Sequence, residues 1–157
     1  MEDQLFQVAE NTWAITLGLP IVRVSEVRPP ETSAQLTLQA SVALPGVGGG
    51  TLVLSCVPEW AEVAASIMFD LSRAEIDEGL RDDAVGELVN IVGGNLKAIL
   101  PEEVDLRPPV VTHRSAAAGT ERGADAERPP SGSQGAGPAT ILELSCEGSP
   151  VRLAFYE

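Results

Sequence analysis

Between residues 3 and 17, Leu5, Val8, Ala9, Thr12, Trp13 and Leu17 fall at three- and four-residue spacings. That period predicts a helix, which Gly-Leu-Pro at 18–20 stops. Residues 21–27, IVRVSEV, read as a first strand, ended by the two prolines that follow Arg28. From Ala34 the pattern becomes strict alternation. Ala34, Leu36, Leu38, Ala40, Val42 and Leu44 share one face, and Gln35, Thr37, Gln39 and Ser41 share the other. Such a strand is half-buried and antiparallel in character. The turn PGVGGG leads into a second strand, TLVLSCV. Pro58 suits the first turn of a helix over 58–70, with Trp60, Val63, Ala64, Ile67 and Met68 as its apolar stripe. A further helix is predicted over 79–100, and LRPPVVTH at 106–113 contains a short strand. Residues 114–138 are rich in Gly, Ala, Ser and Pro without apolar period, so a flexible loop is expected there. The last stretch forms a hairpin turning at EGSP, with Ile141 and Leu142 beginning one strand and Val151, Leu153 and Phe155 on one face of the other. The whole predicts one α/β (α+β) domain over 1–157, an antiparallel sheet packed with long helices.

The third helix carries an oddity. Its sequence, DAVGELVNIVGGNLKAIL, places an Asn and two adjacent glycines mid-helix. Each Gly there costs ~1 kcal/mol against Ala. At ~100° per residue, Val85, Leu88, Val89, Val92, Leu96, Ile99 and Leu100 form the buried arc. Asp83, Glu87, Asn90, Gly94 and Lys97 fall opposite, together with Ile91. Glu87 and Asn90, three apart, point the same way over adjacent turns. Gly94, a turn further, removes a side chain from that surface. A carboxamide both donates to and accepts from water, so it can orient one for attack without taking its proton. Positioning water with an amide side chain is a known device of phosphoryl-transfer catalysis. A carboxylate at Glu87 can pair with a partner's lysine, and Gly93 with Gly94 admits a partner's backbone. The plain alternative is that Glu87 and Asn90 are solvated and the glycines pack against a neighbouring element.

Composition narrows the classes. The net charge of −13 repels phosphate backbones, which argues against nucleic acid. No apolar run approaches the ~20 residues of a membrane span, and the acidic start, MEDQLFQVAE, is unlike a signal peptide. A cytoplasmic location follows as the expectation. Cys56 and Cys146 sit in alternating apolar stretches and read as reduced core residues. One histidine, His113, is too few for a zinc site and is expected at the surface or in packing; no metal ligand is assigned. GVGGGT lacks the Lys-Ser/Thr of a phosphate loop and reads as a hairpin turn. EEVD at 102–105 is expected to be a solvated turn. EIDEGLRDD at 75–83 is expected to be an acidic approach to a helix N-terminus.

At Asp83, Glu87, Asn90, Gly94 and Asn95 the chain resembles the CheX/CheC/FliY family of chemotaxis phosphatases. Their pattern is Glu, two residues, Asn, three residues, Gly, with a preceding Asp and a following Asn. NTWAITLGL, GTLVLSCVPEWAEVAASIMF and LRPPVV resemble the end of the family's first helix, its strand followed by a helix, and the proline-containing strand after its active-site helix. The single motif copy is closer to CheX than to CheC. The resemblance implies a fold of long helices on an antiparallel sheet. It implies a phosphorylated CheY-like receiver domain as substrate, whose phospho-aspartate is hydrolysed with Mg²⁺ held by the regulator and no cofactor on this chain. Glu87 would pair with the regulator's lysine and Asn90 would place the water. Asp83, Gly94 and Lys97 would frame the contact. Relatives dimerise through their sheets, and here the 34–44 strand and the C-terminal hairpin are the expected edges. The segment 114–138 and Gly93 depart from the family pattern. The other class compatible with the fold is a module that binds a regulator or flagellar-switch partner without chemistry.

Overall fold

The computed structural model describes residues 1–24, 35–100, 103–114 and 139–157. Three α-helices lie in these segments: α1 (Glu2–Thr16), α2 (Pro58–Phe69) and α3 (Glu78–Lys97). Six strands form one sheet: β1 (Val22–Arg23), β2 (Leu38–Leu44), β3 (Gly50–Cys56), β4 (Val110–His113), β5 (Ala139–Cys146) and β6 (Ser149–Tyr156). Their spatial order is β1-β5-β6-β3-β2-β4, and every pairing is antiparallel. Residues 25–34, 101–102 and 115–138 lie outside the described residues, and with them most of the 114–138 segment and the end of the 21–27 strand.

Alternation fixes which sheet face is buried. Leu38, Ala40, Val42 and Leu44 of β2 join Leu52, Leu54 and Cys56 of β3 and Val151, Leu153 and Phe155 of β6 in one core. Leu5, Val8, Ala9 and Trp13 of α1, Trp60, Ala61 and Ala64 of α2, and Val85, Leu88, Val89, Val92 and Leu96 of α3 close it from the same side. Each large aliphatic side chain so buried contributes roughly 1.5–3 kcal/mol. Trp13 and Trp60 stack with centroids 5.8 Å apart. Both cysteines are free and buried. Burial pushes the Cys56 thiol far above its ordinary range, with the charge of Glu59 adding to it. Burial raises the Cys146 thiol too.

Several expectations are corrected. Ile67 of α2 is 40% exposed, because the buried stripe runs through Trp60, Ala61, Ala64 and Ala65. Small Ala65 packs with Ala84 of α3 and with Ile76, which rotates α2 relative to a stripe drawn through the larger residues. EEVD does not end as a solvated turn. Val104 is 3% exposed and bridges Gly46, and the Asp105 and Arg107 amides donate to Pro45 and Ala43 carbonyls at 2.9 Å. The segment thus continues the ladder beside β2. Nor is β2 an edge: β3 and β4 flank it, and β6 of the hairpin lies between β5 and β3. β2 is thus interior, whereas β5 of the hairpin lies at the other end of the sheet, paired on its outer side with β1 only at Ser145 and Leu144. Among the described residues, no helix is long and apolar enough to cross a membrane.

Candidate site on the third helix

A polar approach sets up α3. Ser72 and Glu75 form a capping box around a single 3₁₀ turn, and Asp77 caps α3 by accepting from the Leu80 amide at 2.9 Å. The capping bonds from Ser72 hold the Glu75 carboxyl below its ordinary range. Acidic Glu78 in the first turn and basic Lys97 in the last both complement the helix dipole.

The inward face is saturated. Val85, Leu88, Val89, Val92 and Leu96 are completely buried. Ile99, drawn into that arc by the wheel, is 42% exposed, since α3 ends at Lys97 and the regular rotation ends with it. The two adjacent glycines divide between faces. A Cβ on Gly93 would stand 2.8 Å from Val42 Cγ1 and 3.1 Å from Leu106 Cδ1. Gly93 therefore serves the approach of α3 to the sheet and offers a partner nothing, which corrects half of the two-glycine expectation. A Cβ on Gly94 would have only Leu106 Cδ2 nearby, at 3.9 Å.

On the outward side, Asp83, Glu87 and Lys97 are exposed, and Asn90, Ile91 and Gly94 are half-buried. Their spacings, 83, 87, 90, 94 and 97, follow one stripe along the helix. Glu87 and Asn90 have no hydrogen-bond or ion-pair partner among the described residues. Asn95, the last residue of the motif, stands apart from this stripe. Its Nδ2 donates to Thr12 Oγ1 at 3.3 Å, and the Thr12 hydroxyl donates to the Val8 carbonyl at 2.8 Å. Asn95 thus ties α3 to α1, a role invisible in a local pattern because Thr12 is 83 residues away. The arrangement presents a free carboxylate and a free carboxamide, one turn apart, on a helix whose other side is fixed by the core. Chemically, such a carboxylate can pair with a cation and such a carboxamide can both donate to and accept from a water.

The sequence model of the family described as chemotaxis phosphatase CheX matches residues 38–127, more than half of the chain and all of α3. No curated protein matches. Among solved structures, the chemotaxis protein CheX of Vibrio vulnificus is similar at a TM-score of 0.74 and 15% identity, over 98% of this chain and 93% of that one. The CheX–CheY–BeF₃–Mg²⁺ complex from Borrelia burgdorferi gives 0.68 at 16% identity, over 98% and 95%. FliY of Thermotoga maritima gives 0.57 at 20% identity, over 99% and 89%. At these identities the structures establish a shared fold.

Proposed function

The chain belongs to the family of the chemotaxis phosphatase CheX, and from that premise we propose that it accelerates hydrolysis of the phospho-aspartate on a CheY-like receiver domain. The observation that carries the proposal is the pairing of Glu87 and Asn90, outward and without partners among the described residues, on a helix whose opposite face is buried in the core. A relative of the same fold is seen in a complex with CheY, BeF₃ and Mg²⁺, which supports a receiver domain as the partner.

In this mechanism α3 docks against the receiver's phosphorylation site. Glu87 pairs with a lysine there and sets the register. Asp83 and Lys97 frame the contact, and bare Gly94 lets the receiver's backbone approach. Asn90 then holds a water in line with the phosphorus. The water oxygen bonds to phosphorus as the bond to the aspartyl oxygen breaks, giving inorganic phosphate and a free aspartate. Asn90 stays neutral throughout, so its contribution is orientation rather than proton transfer. Mg²⁺ would be held by the receiver and would neutralise the phosphoryl oxygens there, with no cofactor expected on this chain. The reading places the protein in the cytoplasm, with its substrate.

The test is phosphate release from a receiver domain charged with acetyl phosphate. Substoichiometric amounts of this protein should accelerate release, with multiple turnovers. Binding without acceleration would replace the phosphatase by a docking module. Assembly belongs to the same proposal. A homodimer would pair the sheet edges at β4 or at the β1–β5 end, where the C-terminal hairpin lies, and sedimentation showing only monomer across the micromolar range would remove it.

A further inference from the structure

Glu78 and Asp82 are four apart at the start of α3, so their carboxylates lie over the same turn. The chain's single histidine, on the edge strand β4, comes down on them. His113 Nε2 is 2.9 Å from Asp82 Oδ2 and 3.6 Å from Glu78 Oε1. One donor atom from each residue lies within 4.8 Å of the other two. The Asp82 carboxylate is only half used. Its Oδ1 is buried and has no hydrogen-bond partner among the described residues. The Asp82 side chain as a whole is 29% exposed, and a cation reaching it from solvent is one group that would satisfy this inner oxygen.

We propose that Glu78, Asp82 and His113 form a site for a divalent transition-metal ion of the Zn²⁺ type. A tetrahedral ion with ligands at ~2.0–2.2 Å spaces its donors about 3.3 Å apart. The His113–Glu78 separation is already close to that value, and the His113–Asp82 contact has only to open by a few tenths of an ångström. One imidazole nitrogen and two carboxylates favour Zn²⁺ or Co²⁺ over Mg²⁺ or Ca²⁺, which prefer oxygen-only shells. The fourth position is left to water. Four carboxylates in this part of the chain, Asp77, Glu78, Asp82 and Asp83, outweigh Arg81 and raise the local cation concentration. The thiols do not compete, because both are buried. The ion would staple the helix carrying Glu87 and Asn90 to the sheet edge, and the site stands whether or not the chain is a phosphatase.

The experiment uses the untagged full chain, stripped with a chelator. Zn²⁺, Co²⁺ and Mg²⁺ are titrated separately by calorimetry, with thermal melts alongside. Wild type should bind one Zn²⁺ and melt at a higher temperature with it. His113→Gln should weaken Zn²⁺ by about tenfold or more. Glu78→Gln, at a side chain 73% exposed, should do the same without threatening the fold. Absence of Zn²⁺ binding by wild type would overturn the site. Equal affinity in His113→Gln, or equal affinity for Mg²⁺, would reduce it to an acidic surface with a hydrogen-bonded histidine.

Discussion

The two faces of α3 are built from one twenty-residue helix and obey opposite rules. The inward face has no freedom left: five large aliphatics are completely buried, and Gly93 sits where a methyl group would collide with Val42. The outward face has almost no obligations. Asp83, Glu87 and Lys97 are exposed, and neither Glu87 nor Asn90 is committed to a partner among the described residues. Stability is concentrated on one side, which leaves the other open to the proposed receiver contact. Substitutions on the first face should change folding free energy, and those on the second should change turnover.

The largest effect tests the inward face. Leu88→Ala removes a completely buried side chain, and such truncations cost ~2–5 kcal/mol. Urea denaturation should show the midpoint falling while the slope is retained. Any loss of phosphatase activity should track the unfolded fraction alone. A variant that stays fully folded yet loses turnover would break the division between faces.

Asn90→Ala tests the outward face with nearly as large an effect of the opposite kind. Loss of a well-placed transition-state group costs ~10²-fold or more in kcat, which corresponds to about 2.7 kcal/mol. Binding to a beryllofluoride-activated receiver should stay nearly intact, and unfolding free energy should move by less than ~0.5 kcal/mol. Turnover like that of wild type would remove the water-positioning role. Glu87→Ala should separate from it. A hydrogen bond to a charged partner is worth ~1.5–3 kcal/mol, so docking should weaken by roughly tenfold or more, with any fall in kcat reflecting lost register. Unchanged receiver affinity in a titration would leave Glu87 without its proposed lysine.

What could be seen in the sequence follows the same division. Local periodicity needs only neighbours three and four residues apart. It placed Val85, Leu88, Val89, Val92 and Leu96 inside and Glu87 and Lys97 outside, as the structure has them. It failed where the deciding partner is distant in the chain. Val42 explains Gly93 from another element, and Thr12 explains Asn95. His113 read as a lone residue because Asp82 and Glu78 reach it only once β4 has joined the sheet edge. Edges suffer likewise: alternation marks β2 as half-buried but says nothing of its neighbours, and β4 takes the place from which β2 would have paired between copies. EEVD reads as solvated by its charges, yet Val104 among them is held by Gly46.

The smallest effect is the sharpest probe of the contrast, because it compares neighbouring residues of the same type. Gly93→Ala and Gly94→Ala both gain roughly 1 kcal/mol of helix propensity. At Gly94 nothing opposes the gain, since the nearest atom to the new methyl is 3.9 Å away. That variant should melt a few degrees higher. It should also turn over more slowly, because the methyl stands on the stripe one turn from Asn90. At Gly93 the methyl meets Val42 Cγ1 at 2.8 Å. Val42 is β-branched and held in β2, so it cannot swing aside. Overpacking costs ~1–3 kcal/mol, which outweighs the propensity gain and leaves a net loss on the order of 1 kcal/mol. Val42→Ala removes the obstruction, so it should cost less in the Gly93→Ala background than in wild type. Their coupling in a double-mutant cycle should exceed ~0.5 kcal/mol. If Gly93→Ala stabilised the protein as much as Gly94→Ala does, α3 would not depend on close approach to the sheet. The contrast between its two faces would then rest on the buried aliphatics alone.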